Sequence, residues 1–383
     1  MFVTSPEELA KLVERMKGAP VLAIDTEFHR ERTYRAKLCL IQLATETEDA
    51  LVDPLAIRDL TPLAELLDDE NTVKVFHAGD QDVEILIENI GCAPHPVFDT
   101  QIAAGLLGHP LQMGYGALVK SYCGVTLPKA DSYTDWTRRP LSKTQIEYAA
   151  DDVRYLPGIY RTMMAQLEES GRIDWLAEEF SHLSDPKSYS VDIDQCWRRL
   201  KRVNGLTRRQ LAVAQAVAAW REETAMRRNV PRRWVLTDEF VVEIARRVPK
   251  TTEELYAVRG LKDRLPERLA VEIMDRIDAA LAADPATWPQ PKRGHGGGKN
   301  VDALVDLMNA LMHLRAAENE VAPQHLASRD DLVRVARGER EDVDVLRGWR
   351  RELVGQELLD LIDGKIVLGI AEDALVARRV DEM

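Results

Sequence analysis

The sequence predicts a mixed α/β domain followed by two small, wholly helical modules. Three observations carry this expectation. The first third sets short apolar runs, several close together and then alternating with helical stretches, which is the pattern of a mixed sheet with flanking helices. From Thr207 onward the apolar spacing turns helical, with Leu211, Ala214, Val217, Ala218 and Ala225 in register. Between the two helical stretches lies Asp284–Asn300, with Pro285, Pro289, Pro291 and the tract Gly294-His295-Gly296-Gly297-Gly298, the composition of a flexible linker. The expected divisions are therefore 1–195, 196–283, a linker over 284–300, and 301–383.

Taken in order, Ser5-Pro6-Glu7-Glu8 opens a helix, with Ser as N-cap, Pro at N1 and Glu at N3. Strands are expected at Val21–Ile24, Leu38–Ala44 and Ala50–Val52, close enough to be neighbours in a sheet. A helix near Pro62–Leu67 precedes a fourth apolar run, Val73–Phe76. The next helix starts near Asp80, read as its N-cap, and Asp99 caps another over Gln101–Leu107. A helix from about Ser142 to about Pro157 carries Tyr148 and Asp152 on one face, while Asp151 points elsewhere and reads as solvated. Thr207 and Gln210 form a capping box for the long helix that Asn229-Val230-Pro231 ends. Further helices are expected near Asp238–Arg247, Thr252–Ala257 and Pro266–Ala282, and again after Val301, where Leu304, Leu307, Met308 and Leu311 share a face.

Composition narrows the class of protein. With 45% apolar and 30% charged residues the balance is that of an ordinary soluble chain, and no apolar run approaches the ~18 residues that span a membrane. No basic-then-apolar signal opens the chain, so the cytoplasm is the expected location. Cys39, Cys92, Cys123 and Cys196 lack metal-site spacing and read as reduced packing residues. The formal net charge of −13 opposes nucleic-acid binding only on average. Cys196–Asn300 holds 22 Lys and Arg against 13 Asp and Glu, a local +9 that can supply a phosphate-binding face. The pair Gly298-Lys299 is no phosphate loop, because Asn300 stands where Ser or Thr is needed and no strand precedes it.

The chemistry-bearing stretch is Val21-Leu22-Ala23-Ile24-Asp25-Thr26-Glu27-Phe28. Side chains two apart on a strand share a face, so Asp25 and Glu27 project together. Adjacent carboxylates repel unless a cation sits between them, and hard divalent ions take oxygen ligands. Alone, the pair reads first as solvated loop acids. Asp82 alone reads equally as a first-turn helix acid, favoured there by the backbone dipole. Tyr148 with Asp152 alone reads as a hydrogen-bonded surface pair.

Together these segments resemble the DEDD superfamily of 3′→5′ exonucleases and, within it, ribonuclease D. The first motif is Asp25-Thr26-Glu27-Phe28, continued by Leu38-Cys39-Leu40-Ile41-Gln42-Leu43; the second is His77-Ala78-Gly79-Asp80-Gln81-Asp82. The third is Tyr148-Ala149-Ala150-Asp151-Asp152, preceded by Asp135-Trp136 and Arg139-Pro140-Leu141. The helical module resembles the HRDC (helicase and RNase D C-terminal) domain through Trp220-Arg221, Ala225, Asn229-Val230-Pro231, Val235, Asp238, Ile244-Ala245 and Gly260. The last module, with Gly348-Trp349-Arg350-Arg351-Glu352-Leu353, resembles a more divergent second HRDC domain.

The resemblance implies an RNase H-like exonuclease domain, two HRDC-like domains, and two divalent ions, Mg²⁺ or Mn²⁺, as cofactors. It implies Asp25, Glu27, Asp82 and Asp152 as metal ligands, with Tyr148 orienting the attacking water. The implied partner is RNA with a free 3′ end, such as a tRNA precursor, processed by a monomer without a small-molecule cofactor or a membrane. Thr26 and Phe28 beside the acids are candidate substrate contacts; Phe28 could stack on a terminal base or belong to the core. Arg227, Arg228, Arg232 and Arg233 are candidates for the RNA backbone, or a solvated charged face. A DNA exonuclease of the same superfamily and a nuclease-inactive RNA-binding scaffold are the alternatives.

Overall fold

The computed structural model describes residues 1–128, 134–291 and 300–382. It divides into two compact units. Unit 1 gathers Met1–Phe28, Leu38–Ser188 and the described residues of Gly298–Met383; unit 2 gathers His29–Lys37 and the described residues of Tyr189–Gly297. Of the expected linker, the Gly-rich tract lies outside the described residues. Its start is structured within unit 2: Pro285–Thr287 is a 3₁₀ turn, and Trp288 donates its indole N–H to the Ala280 carbonyl at 3.1 Å.

Unit 1 is built on a six-stranded sheet of β1 (Phe2–Val3), β2 (Val21–His29), β3 (Lys37–Ala44), β4 (Asp49–Val52), β5 (Val73–Phe76) and β6 (Val97–Asp99). Their order is β1-β4-β3-β2-β5-β6, with β3 antiparallel to β4 and β2, β5 and β6 mutually parallel. The sheet is mixed, as the sequence predicts. β2 lies near the middle and runs past Ile24 to include both acids. Val21–Ile24 are buried because the central strand is covered on both faces.

The first helix, α1 (Pro6–Met16), has the expected capping box of Ser5 and Glu8. After the short α2 (Ala64–Leu67) comes α3 (Asp80–Ile90). Its N-cap is Gly79, not Asp80. The Asp99 carboxylate takes the backbone N–H groups of Ala78 and Gly79 at 3.2 and 2.8 Å, fixing the turn that leads into α3, whose first turn has no side-chain cap. Asp99 also caps α4 (Thr100–Leu106), accepting from Gln101 and Ile102. Next come α5 (Tyr115–Cys123) and α6 (Lys143–Arg154), which Ser142 and Gln145 start with a capping box. α6 stops before Pro157, which falls in the first turn of α7 (Leu156–Glu169), where proline is tolerated. α8 (Ile173–Ser184) completes this part.

Unit 2 is helical. It comprises α9 (Arg208–Arg228), α10 (Arg232–Val235), α11 (Asp238–Arg247), α12 (Thr252–Tyr256) and α13 (Glu267–Ala282) around one apolar core. The Thr207–Gln210 capping box is present, and Asn229 ends α9 in the left-handed conformation. Tyr34, in the β2–β3 connection, belongs to this unit and donates its hydroxyl to Glu222 at 2.6 Å.

The chain re-enters unit 1 with α14 (Asp302–Glu318), α15 (Pro323–Leu326), α16 (Arg329–Ala336), α17 (Gly348–Arg350) and α18 (Gln356–Ile362). The expectation of an all-α segment after Val301 is corrected here. It ends in a hairpin of β7 (Ile366–Ala371) and β8 (Ala374–Arg379). Glu372 and Asp373 both have positive φ, the requirement of the two-residue turn that matches strand twist. This segment packs on α4 and α8: Trp175 and Trp349 stack at 4.3 Å, and Arg350 pairs with Glu179 at 2.5 Å. Gly105 is required at its contact, because a Cβ there would lie 1.9 Å from the His325 ring.

Candidate active site

One strand and two helices bring the acids together. Asp25 and Glu27 leave the same face of β2. α6 lies over β3 and β4, where Ala149 joins Leu40, Leu51 and Leu141 in one apolar cluster. That packing, with the Ser142 cap fixing where the helix starts, sets the height of Tyr148 and Asp152. Oxygens of Asp25, Glu27 and Asp152 all lie within 4.8 Å of one another, a group able to hold a metal ion. Asp82, in the first turn of α3, stands beside them. It is buried and accepts from both the hydroxyl and the backbone N–H of Thr26.

The electrostatics follow from crowding like charges in a low-dielectric place. Burial, then the charges of Asp82, Asp152 and Glu27, raise Asp25 well above the usual carboxylate range. Burial, then Asp152 and Asp82, push Glu27 up to about 8. Burial raises Asp152 to about 7 despite the hydrogen bond from Tyr148, and Asp82 to about 6 despite the Thr26 bonds. Among the described residues no Lys or Arg forms an ion pair with any of the four. The donor set is all oxygen and no cation among the described residues offsets it, which fits hard divalent cations.

Tyr148 donates its hydroxyl to Asp152, as the i, i+4 spacing predicts. Burial and the nearby carboxylates hold its own ionisation above the ordinary phenol value. Asp151 is not solvated as expected. It pairs with Arg154 at 2.6 Å and its side chain is only 14% exposed. Its carbonyl accepts the Tyr115 hydroxyl at 2.6 Å, tying α5 to α6 beside the acids.

A cleft of about 1200 Å³ adjoins Tyr148 and Asp152, lined also by Tyr115, Trp136, Arg138 and Leu141. Trp136 lies 6.1 Å from the Tyr148 ring, and Arg138 is exposed. Sequence reasoning quoted Asp135-Trp136 without giving it a role; an aromatic between loop polars was the available signal. Gln42, part of the first motif but without a role there, is fully buried on β3 and donates Nε2–H to Asp25 Oδ2 at 3.2 Å.

Of the expected substrate contacts, Thr26 is buried and commits its hydroxyl to Asp82, while Phe28 is half-buried at the end of the acid-bearing stretch. Arg227, Arg228, Arg232 and Arg233 belong to unit 2 and are exposed. Two of them meet acids of that unit, Arg227 with Glu272 at 3.8 Å and Arg232 with Glu222 at 3.7 Å. No described helix is long and apolar enough to cross a membrane, and the four cysteines are free thiols.

Residues 1–168 match the 3′-5′ exonuclease family and residues 210–277 match the HRDC domain. The chain is 42% identical to the ribonuclease D of Gluconacetobacter diazotrophicus, over 97% of this chain and 94% of that protein. It is 40% identical to that of Sphingobium indicum, over 99% and 98%. The crystal structure of Escherichia coli RNase D, described as an exoribonuclease involved in structured RNA processing, aligns with a TM-score of 0.83 at 31% identity. That alignment covers 95% of this chain and 98% of the other. With this identity sustained over nearly its whole length, and an exonuclease domain followed by an HRDC domain, the chain belongs to the ribonuclease D family of DEDD-type 3′→5′ exoribonucleases.

Proposed function

We propose that this protein shortens RNA from a free 3′ end, one nucleoside 5′-monophosphate at a time, using two divalent ions, Mg²⁺ or Mn²⁺. The observation that carries the reading is the convergence of Asp25, Glu27 and Asp152 oxygens within 4.8 Å, with no protein cation among the described residues to offset them. Asp25 would serve both ions, Glu27 and Asp152 one, and Asp82 the other. Bound there, the ions supply water activation and neutralise the scissile phosphate and the leaving 3′ oxygen.

The chain's own residues do the rest. Tyr148 stays protonated at neutral pH, so it acts by hydrogen bonding rather than as a base, orienting the attacking water while donating to Asp152. Thr26 holds Asp82 by two hydrogen bonds. Phe28 offers a ring for the terminal base. Trp136 and Arg138 line the adjoining cleft, where a ring and a cation suit a nucleotide's base and phosphate. Arg227, Arg228, Arg232 and Arg233 would contact the RNA backbone, of which Arg228 and Arg233 show no ion-pair partner among the described residues.

The substrate we favour is a tRNA precursor, acted on by a monomer in the cytoplasm. Residues 301–383 serve as a second, divergent HRDC-like module that has acquired the β7–β8 hairpin. The test uses a 3′-tailed tRNA precursor labelled at its 5′ end, with a matched DNA oligomer alongside. Stepwise 3′ shortening of the RNA with Mg²⁺ or Mn²⁺, lost in EDTA and in Asp25→Asn, is expected. Tight RNA binding without shortening under any metal condition overturns the reading and leaves a binding scaffold; preferential loss of the DNA oligomer moves the substrate class to DNA.

A further inference from the structure

Gln42 is a fully buried amide in an apolar strand. Its neighbours on β3, Leu40, Ile41 and Leu43, are buried hydrophobics. Its Nε2–H reaches Asp25 Oδ2 at 3.2 Å, and its Oε1 is buried and meets no protein donor. Against the ionised Asp25 that would bind metal, turning the amide over would set Oε1 against a carboxylate oxygen, an acceptor facing an acceptor, so in that state the N–H faces Asp25. An amide with one half unanswered by protein is a poor choice for a core position that a leucine or methionine could fill.

We infer that Gln42 is a positioning residue whose N–H fixes the Asp25 carboxylate in the orientation that binds metal, an inference that rests on the two-ion reading above. Asp25 faces the repulsion of Glu27, Asp82 and Asp152, and its carboxyl also accepts the neighbouring Thr26 backbone N–H. The Gln42 N–H adds a second contact, from another strand, that holds one oxygen in place before any cation arrives. Hydrogen bonds that orient a ligand in this way characteristically matter about 10- to 100-fold in metal affinity. A purely structural amide and a positioning amide make opposite demands on stability, which makes the two roles separable.

The experiment compares wild type with Gln42→Leu and Gln42→Met in two readouts: Mn²⁺ binding by calorimetry and the thermal midpoint in EDTA. The inference expects a midpoint in EDTA no lower than wild type, with Mn²⁺ affinity weakened about tenfold or more. In steady-state assays kcat falls while KM for RNA stays near wild type. A midpoint lowered by several degrees in both variants, with Mn²⁺ affinity unchanged, overturns it and makes Gln42 a structural residue. Failure of either variant to fold counts the same way. Wild type that binds no Mn²⁺ overturns this inference and the two-ion reading together, whereas Mn²⁺-binding wild type with insensitive variants overturns this one alone.

Discussion

Unit 1 holds two groups of buried charge on opposite terms. Asp53 is 3% exposed, yet it is fully answered: Arg139 bonds both its oxygens, at 2.6 and 2.7 Å, and spends its remaining N–H groups on the carbonyls of Cys39, Trp136 and Arg138. Hydrogen bonding to Arg139 accordingly brings Asp53 below the usual carboxylate range, overcoming its burial. Asp25, Glu27, Asp82 and Asp152 are crowded without any such cation among the described residues, and all four are raised. One group balances its charge from within the chain and stabilises the fold; the other, on the proposed reading, takes its balancing charge from bound cations. The difference separates a structural ion pair from the proposed metal site more clearly than burial does.

Four measurements break or sharpen that contrast. The largest effect is expected for Asp25→Asn, which should lower the rate of RNA shortening by on the order of 10³-fold. The same variant should raise the thermal midpoint in EDTA, since it removes a buried carboxyl whose ionisation its three neighbours oppose. A fall in that midpoint would mean that the cluster stabilises the fold after all. Arg139→Met should do the reverse, destabilising by about 3 kcal/mol because Asp53 is left charged and buried. Denaturant unfolding reads this, and combining it with Asp53→Leu should recover much of the loss.

Tyr148→Phe is next, expected to lower kcat by about 10²-fold, near the lower end for a positioned proton-handling group. Because the phenol stays protonated, the variant should keep the shape of the wild-type pH–rate profile; loss of one limb would reassign Tyr148 as an acid or base. The smallest effect is a slope. Carboxyls with raised folded pKa values hold protons that the unfolded chain has released, so metal-free stability should fall as pH rises from about 4. The decline runs through the folded values of about 6 for Asp82, 7 for Asp152 and 8 for Glu27. Thermal midpoints in EDTA should drift down by a few degrees across that range, and saturating Mn²⁺ should flatten the drift.

The features legible in the sequence are those written in local chemistry. The capping boxes at Ser5, Ser142 and Thr207 each involve residues three apart, and all three form. The strand bearing Asp25 and Glu27 announced itself by an apolar run ending in acids two apart, and Tyr148–Asp152 by helical spacing. Asp80 was misread because the helix starts one residue earlier: Gly79 takes the N-cap position, in a turn that Asp99, distant in sequence, holds through Ala78 and Gly79. The β7–β8 hairpin was missed because Glu372-Asp373 lacks the glycine that usually marks such a turn, and Ile370 is 81% exposed, which blurs the alternation. Asp151 depends on Arg154 and a half-buried setting, and Gln42 on a partner in another strand. The Gln42 relation leaves no periodic trace; the Asp151–Arg154 pair has the i, i+3 helical spacing that could have found it.

The route of the chain also constrains how it is made. Unit 1 is interrupted: the chain leaves it at Ser188 and supplies its last portion only after unit 2. During synthesis, the α8 surface bearing Trp175 and Glu179 emerges before Trp349 and Arg350 exist to cover it. At the usual pace of translation, the intervening stretch alone takes on the order of ten seconds. For that interval an apolar ring and an unpaired acid lie open to other chains, so the ribosome-bound enzyme should engage chaperones at this surface until its C-terminal segment arrives.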